Sequence, residues 1–129
     1  MSVEVTYLAY AGLLAVAQLI LMAIPVNLQL GTGYTGGPRD TERSPTGMAG
    51  RLHRAFGNHM EGLILFTAAV AVVELASANT LGTALAAQIY FWARVAYVPA
   101  YASGLPYLRS AIWAAGFFAL PYMLLTALL

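Results

Sequence analysis

Two sets of polar side chains, each embedded in apolar sequence, have the types and spacing to do chemistry. The first stripe is Arg51, Arg54, Asn58 and Glu61, and the second is Tyr90, Arg94, Tyr97 and Tyr101. At about 100° per residue, the first stripe falls within roughly 80° of one helix face and the second within roughly 60°. Because a charge near the centre of a bilayer costs about 2.5 to 3.5 kcal/mol or more, such residues usually face a bundle interior or a wet cavity. Both stripes are therefore predicted to line a site.

The composition indicates that the helices carrying these stripes lie in a membrane. The chain has 129 residues, of which 60% are hydrophobic and 9% charged, and its mean hydropathy is +0.73. A water-soluble core of that size cannot hide so much apolar surface. No charge occurs over residues 5–38, 62–73, 75–93 and 110–129. Since a span needs about 20 apolar residues, we predict an all-α integral membrane protein with four transmembrane helices.

We predict a single domain over residues 1–129. Its four helices are expected at about residues 5–30, 51–76, 80–103 and 107–128, with a cytoplasmic loop over 31–50. The first helix is not expected to be a signal peptide, because it lacks a basic leader and exceeds the usual apolar core of about 7 to 15 residues.

The ionisable residues restrict the chemistry. All six basic residues are Arg, which stays protonated when partly desolvated and offers a planar fork to carboxylates. A net charge of only +1 argues against nucleic-acid binding. Without Cys, any thiol chemistry must use a thiol that a ligand brings. His53 and His59 point to helix faces about 120° apart, so no metal site is predicted.

The distribution of Arg residues predicts the orientation in the membrane. Those outside the predicted third helix lie in or beside the first and third connections: Arg39, Arg43, Arg51, Arg54 and Arg109. The positive-inside rule then places both termini outside the cytoplasm, with the polar stripes opening toward it.

The depth of the charged residues suggests a ligand. Glu61 and Arg94 are each about 15 Å from the inner edge at 1.5 Å per residue, so they can pair if their helix faces oppose each other. That pair would leave Arg51, Arg54 and Arg109 with no acid in reach on these stripes. Unpaired arginines imply an anionic ligand.

The motifs around these residues are similar to those of a known membrane family. They are Arg-Ala-Phe-Gly-Asn-His-Met-Glu at residues 54–61, Ala-Arg-Val-Ala-Tyr-Val-Pro-Ala-Tyr at 93–101, and Arg109-Ser110. Over nearly its whole length the chain resembles the membrane-associated proteins in eicosanoid and glutathione metabolism, the MAPEG family, and within it a bacterial branch. Characterised eicosanoid enzymes of the family usually carry a basic residue near the inner end of the first helix, where this chain has Asn27 and Gln29.

The resemblance implies a homotrimer of four-helix subunits that holds glutathione, as a co-substrate, between neighbours near the cytoplasmic edge. Carried over position by position, the residues that would hold the tripeptide are Arg54, Asn58, Glu61, Arg94, Tyr97 and Tyr101, with Arg51 added as a candidate. Arg109 would lie beside the sulfur. Ser110, which matches a residue proposed to assist the thiol in some members, is the second catalytic candidate. The expected setting is a bacterial inner membrane.

These residues lead to a hypothesis of thiol activation. Arg109 carries a fixed charge at a helix start and would stabilise a bound thiolate for attack on an apolar electrophile from the bilayer. The predicted function is a membrane-bound glutathione-dependent transferase, with peroxidase activity as a further option. Its expected partners are further copies of itself, membrane lipids and a hydrophobic small molecule.

Other functions stay open at this point. The stripes could be helix contacts that contain a buried ion pair, or the same pocket could bind a lipid or another anionic ligand without catalysis, as a scaffold. A channel is disfavoured, because the outer halves of the second and third helices are almost wholly apolar. No residue identifies the second substrate, and the roles of His53, His59 and Glu74 are left unassigned.

Overall fold

The computed structural model describes residues 1–129 and consists of helices and their connections. The helices are α1 (Val3–Leu30), α2 (Thr32–Thr35), α3 (Gly47–Leu75), α4 (Leu81–Ala102) and α5 (Pro106–Leu128). The prediction of an all-α fold is therefore confirmed. The four long helices, α1, α3, α4 and α5, correspond in order to the four predicted ones.

The first connection differs from the predicted loop over residues 31–50. A single helical turn, α2, lies within it, and α3 begins at Gly47 rather than at about residue 51. The predicted loop takes in all residues up to Gly50. However, the preceding Met48 and Ala49 are good helix formers, and Ala49 is buried against Met22 and Val26 of α1. Packing against α1 therefore extends α3 by a turn.

Local signals set the ends of the long helices. The side chain of Ser2 accepts the Val5 N–H at the start of α1, and Thr80 and Thr83 form a reciprocal capping box at the start of α4. The chain turns at Gly104, where φ is +78°, a value that favours glycine. Pro106 then begins α5 at the position where its missing N–H costs nothing.

The exterior of the chain is apolar. Only 25 of 129 residues are buried, while large side chains such as Leu13, Ile64 and Phe118 are 66%, 70% and 68% exposed. Three helices, α1, α3 and α5, are long and apolar enough to cross a membrane. An apolar surface of this extent is stable when lipid rather than water covers it. The chain is therefore an integral membrane protein.

The core is narrow and rich in small residues. Its buried members are Ala11, Phe66, Ala69, Val70, Val73, Ala86, Ala87, Tyr90, Ala119, Leu120 and Met123. A Cβ atom added at Gly116 of α5 would lie 3.2 Å from the Cβ of Ala93 on α4, which shows how closely these two helices approach. Such close packing of backbones is how helices associate within lipid.

The helices run back and forth, so their polar residues collect at two opposite ends. At one end the hydroxyl of Ser2, before α1, donates to Glu74 near the end of α3. At the other, Nε of Arg51 in α3 donates to the carbonyl of Ala102 at the end of α4, at 2.9 Å. We call these the glutamate end (Ser2, Glu4, Glu74, Asn79 and Thr83) and the arginine end (Arg39, Arg43, Arg51, Arg54 and Arg109).

Candidate functional site

A groove of about 540 Å³ opens at the arginine end between α3, α4 and α5. Its lining residues are His53, Arg54, Gly57, Asn58, Glu61, Tyr97, Tyr101, Arg109, Ser110 and Trp113. An inner cavity of about 120 Å³ adjoins it, sharing Asn58, Glu61 and Trp113 and adding Tyr90 and Arg94. Apart from Arg51, the residues of the two polar stripes therefore face the same space, as amphipathic helices in a bundle require.

The stripe on α3 supplies a cation, an amide and a carboxylate at successive turns. Nε of Arg54 donates to the hydroxyl of Tyr101 on α4 at 3.1 Å, which ties the two helices together across the groove. Asn58 is half-buried, and its Oδ1 has no hydrogen-bond partner. Glu61 is exposed toward the groove. These three residues recur every three or four positions, so they share one helix face.

The stripe on α4 is more deeply buried. Arg94 and Tyr97 are each 4% exposed, and the guanidinium of Arg94 lies 4.4 Å from the centre of the Tyr97 ring. Nε of Arg94 and the hydroxyl of Tyr90 are buried without hydrogen-bond partners. A Cβ atom added at Gly62 would come within 2.5 Å of the Tyr90 hydroxyl, so glycine is needed there for the ring to fit.

The start of α5 closes the groove. The guanidinium of Arg109 lies 4.6 Å from the centre of the Tyr101 ring, which covers one of its faces. The hydroxyl of the neighbouring Ser110 donates to the carbonyl of Pro106 at 3.0 Å, so its proton is already engaged. One turn further on, Trp113 stacks on Phe117, with ring centres 5.0 Å apart.

Two expectations about the charged residues differ from the structure. Glu61 and Arg94 do not pair. Arg94 instead lies over Tyr97 inside the bundle, while Glu61 remains exposed, so the expected ion pair is wrong for this chain. Arg51, added as a ligand candidate, lies outside both cavities, because its Nε is used to bind the carbonyl of Ala102. The groove and inner cavity contain every other predicted site residue.

Two aromatic residues of the groove were not among the predicted site residues. His53 lies two turns before Glu61 on α3, and Trp113 lies one turn after Arg109 on α5, so helical spacing could have identified both. His59 behaves differently. It is fully buried, and its Nε2 is 3.0 Å from the carbonyl oxygen of Ala11, so it joins α3 to α1 away from the groove.

The charges of the site favour an anion. Three guanidinium groups, those of Arg54, Arg94 and Arg109, face one carboxylate, Glu61, with which none of them forms an ion pair. Arginine forks suit carboxylates, and a free carboxylate suits an ammonium group. Buried polar atoms without partners are costly, so Nε of Arg94 and Oδ1 of Asn58 are open to ligand groups.

Comparison with known proteins agrees with this arrangement. A model of the MAPEG family matches residues 7–129, which is essentially the whole chain. Searches of curated proteins and of solved structures gave no match. With an all-helical fold and helices able to cross a membrane, the chain belongs to the MAPEG family, the membrane proteins of glutathione and eicosanoid metabolism.

Proposed function

We propose that the protein is a membrane-bound glutathione-dependent transferase that activates the glutathione thiol for attack on an apolar electrophile. The observation that carries this proposal is the convergence of Arg54, Arg94 and Arg109 on adjoining cavities in which no protein carboxylate pairs with them. Family membership makes glutathione the first candidate for the missing anion.

The lining residues fit the chemistry of this tripeptide. Glutathione carries two carboxylates, one ammonium group and amides along its backbone. Arg54 and Arg94 offer guanidinium N–H groups to carboxylates, and Glu61 offers a carboxylate to the ammonium group. Oδ1 of Asn58 accepts an amide N–H, and the hydroxyls of Tyr97 and Tyr101 can donate or accept. Binding would thus satisfy buried atoms that have no partner within the chain.

Arg109 would supply the catalytic charge. An ordinary thiol has a pKa of about 8.5, so only a few per cent is ionised at pH 7, and lowering it by one unit corresponds to about 1.4 kcal/mol. Half-buried Arg109 has one face covered by Tyr101, which shields that face from water, and the first turn of α5 adds partial positive charge. The thiol proton passes to water in the open groove. The sulfur then forms its bond to carbon as the leaving group departs with its electron pair.

An apolar co-substrate could approach along α5. Trp113 lines the groove next to Arg109, and its stacked neighbour Phe117 lies on the same helix face. Their side chains are 41% and 38% exposed, so they offer an aromatic surface that lipid or a hydrophobic substrate can contact. A molecule dissolved in the bilayer would reach the sulfur along this surface without crossing water.

We also propose that α4 is a fourth membrane span. The helix begins after the turn at the glutamate end and finishes beside Arg51 at the arginine end. If α1, α3 and α5 cross the membrane, the chain must return across it through α4. Its 22 residues span about 33 Å, against about 30 Å for the hydrocarbon core. Arg94 and the tyrosines lower its hydropathy, but they point into the bundle.

The exposure of Glu61 supports assembly into a homotrimer. It lies about 15 Å along α3 from Arg51, which marks the arginine end, yet it is exposed in the single chain. A carboxylate at that depth is unstable against lipid, so a neighbouring subunit is expected to cover it. The resemblance to the MAPEG family supports three as the number of subunits. The Arg residues at one end favour an orientation with both termini outside the cytoplasm. The resemblance to a bacterial branch of the family supports the bacterial inner membrane as the setting.

The test is to purify the protein in detergent and measure glutathione binding by calorimetry and conjugation with an activated aromatic chloride. S-methylglutathione serves as the matched ligand, since it keeps the charged groups but has no thiol. We expect it to bind in the groove and to inhibit conjugation competitively. Native mass spectrometry reports the number of subunits in the same sample.

The control variant is Glu42→Gln, which removes an exposed carboxylate of the first connection and should leave binding and turnover unchanged. Binding of both ligands without conjugation would favour the scaffold function. Absence of glutathione binding would contradict the proposal altogether.

A further inference from the structure

A second cavity at the arginine end has a different composition. This loop pocket, of about 280 Å³, lies between α1, the first connection and the start of α3. One part is apolar and lined by Leu19, Met22 and Val26 of α1. The other part carries Arg39 and Arg43. His53 is the only residue that it shares with the groove, so the loop pocket is a separate space.

The two arginines of the loop pocket are held in place by backbone carbonyls. Nη1 of Arg43 donates to Leu30 at 2.9 Å, and the guanidinium lies 5.0 Å from the centre of the Tyr34 ring. Nε and Nη2 of Arg39 donate to the carbonyl of Thr35 at 3.1 and 2.7 Å. Arg39 adopts φ +56°, which L residues rarely do, so the chain turns sharply at this residue.

The loop pocket is basic although the first connection as a whole is neutral. Asp40 and Glu42 balance the two arginines in charge, but both are exposed, and neither lines the pocket. The arginines also keep N–H groups that the chain does not use: Nη1 of Arg39, and Nε and Nη2 of Arg43. These groups are donors for an anion.

The polar and apolar parts lie at different depths. Leu19 is about 17 Å along α1 from Leu30, where α1 ends beside Arg43. The arginines therefore lie at the membrane surface, while the apolar part extends toward the bilayer interior. Leu19 itself is 47% exposed, so the apolar part is open to lipid. A ligand that fits both parts has an anionic head and an apolar tail.

We propose that the loop pocket binds an anionic phospholipid, with its phosphate on Arg39 and Arg43 and the beginning of one acyl chain along Met22 and Val26. About 280 Å³ is enough for the head and the first methylene groups only, and the rest of the chain lies in the bilayer. A free phosphate ion shares the head chemistry but leaves the apolar part empty. The acyl chain therefore distinguishes the two sources.

The test uses the full-length protein in nanodiscs of mixed phosphatidylglycerol and phosphatidylcholine, with retained lipids counted by native mass spectrometry. Wild type should retain phosphatidylglycerol preferentially. Arg39→Gln with Arg43→Gln should weaken this preference about 25-fold, since each guanidinium near an anionic head contributes about fivefold. Ala23→Phe, which fills the apolar part of the pocket without changing a charge, should also weaken it.

Matched controls separate this site from general membrane attraction. Ala17→Phe adds a side chain of the same size on an exposed face of α1 outside the pocket. Glu42→Gln changes the net charge of the first connection at an exposed residue that does not line the pocket. Both should keep the preference. Equal retention of the two lipids by wild type, or an unchanged preference in the double arginine variant, would overturn the proposal. The proposal would also be overturned if, in detergent, inorganic phosphate bound the protein as tightly as phosphatidylglycerol does. That result would identify a site for a free anion.

Discussion

The glutamate end and the arginine end of the bundle treat their buried polar groups in opposite ways. At the glutamate end, Glu4 is 2% exposed but accepts hydrogen bonds from Asn79 and Thr83, and Glu74 accepts from Ser2 and Asn79. In the inner cavity next to the groove of the arginine end, the buried Nε of Arg94 has no partner. The chain itself supplies hydrogen-bond partners for the buried carboxylates of the glutamate end, but not for this guanidinium.

This difference separates a structural polar cluster from a binding site. An unsatisfied buried polar group costs about 1 to 3 kcal/mol, so a chain keeps one where a ligand or another subunit supplies the partner. The presence of charged residues does not distinguish a structural cluster from a binding site, because both ends contain ionisable residues. The predictions below test it, from the largest expected effect to the smallest.

Removing the charge beside the expected sulfur position should have the largest effect. We expect Arg109→Ala to lower kcat/KM for conjugation about 100-fold, because a preorganised charge stabilises the thiolate in the transition state. Arg109→Lys, which keeps the charge but loses the planar fork, should retain intermediate activity. Steady-state kinetics and glutathione calorimetry on the same samples check this. Unchanged turnover in Arg109→Ala would remove this residue from the mechanism.

Replacing the buried arginine should separate stability from binding. We expect Arg94→Met to weaken glutathione binding at least about tenfold, yet to leave the apparent melting temperature of the ligand-free protein unchanged or higher. The physical reason is that replacing an uncompensated buried charge with an apolar side chain of similar size removes a desolvation cost. Calorimetry and thermal unfolding in detergent give the two numbers. A clear loss of stability without ligand would indicate that Arg94 is a structural residue after all.

A substitution at the glutamate end should lower stability and leave glutathione binding unchanged. Glu4→Ala removes one acceptor from the amide of Asn79, which keeps Glu74, and one from the hydroxyl of Thr83, which keeps the Thr80 carbonyl. Losing these two hydrogen bonds should lower the free energy of unfolding by about 1 to 3 kcal/mol. Glutathione affinity per folded molecule should not change. Thermal unfolding and binding measurements check this, with the exposed Glu42→Ala as the control. Weaker glutathione binding would show that the two ends are coupled.

The smallest effect is expected at Ser110. Because its hydroxyl donates to the Pro106 carbonyl, Ser110→Ala removes a backbone contact rather than a free donor. We expect kcat/KM to fall by less than about threefold, the order of one modest hydrogen bond. A loss of tenfold or more would show that the hydroxyl turns toward the thiol during the reaction.

Much of the fold and part of the site were predictable from periodicity and apolar length. The long apolar stretches indicated a membrane protein, and the spacing of Arg54, Asn58 and Glu61 placed them on one helix face that the structure turns toward the groove. The structure starts α3 at Gly47 rather than at about residue 51, because Ala49 is buried against α1, a tertiary contact that spacing along one helix does not reveal.

The sequence by itself determined which residue types face inward and at which level along each helix, because helical geometry is fixed by spacing. Tertiary structure alone decided their partners. It placed Arg94 over Tyr97 rather than beside Glu61, bound Arg51 to a backbone carbonyl, and left the groove short of acceptors. Partner choice depends on helix rotation and on competing aromatic and carbonyl groups, which spacing along one helix does not specify.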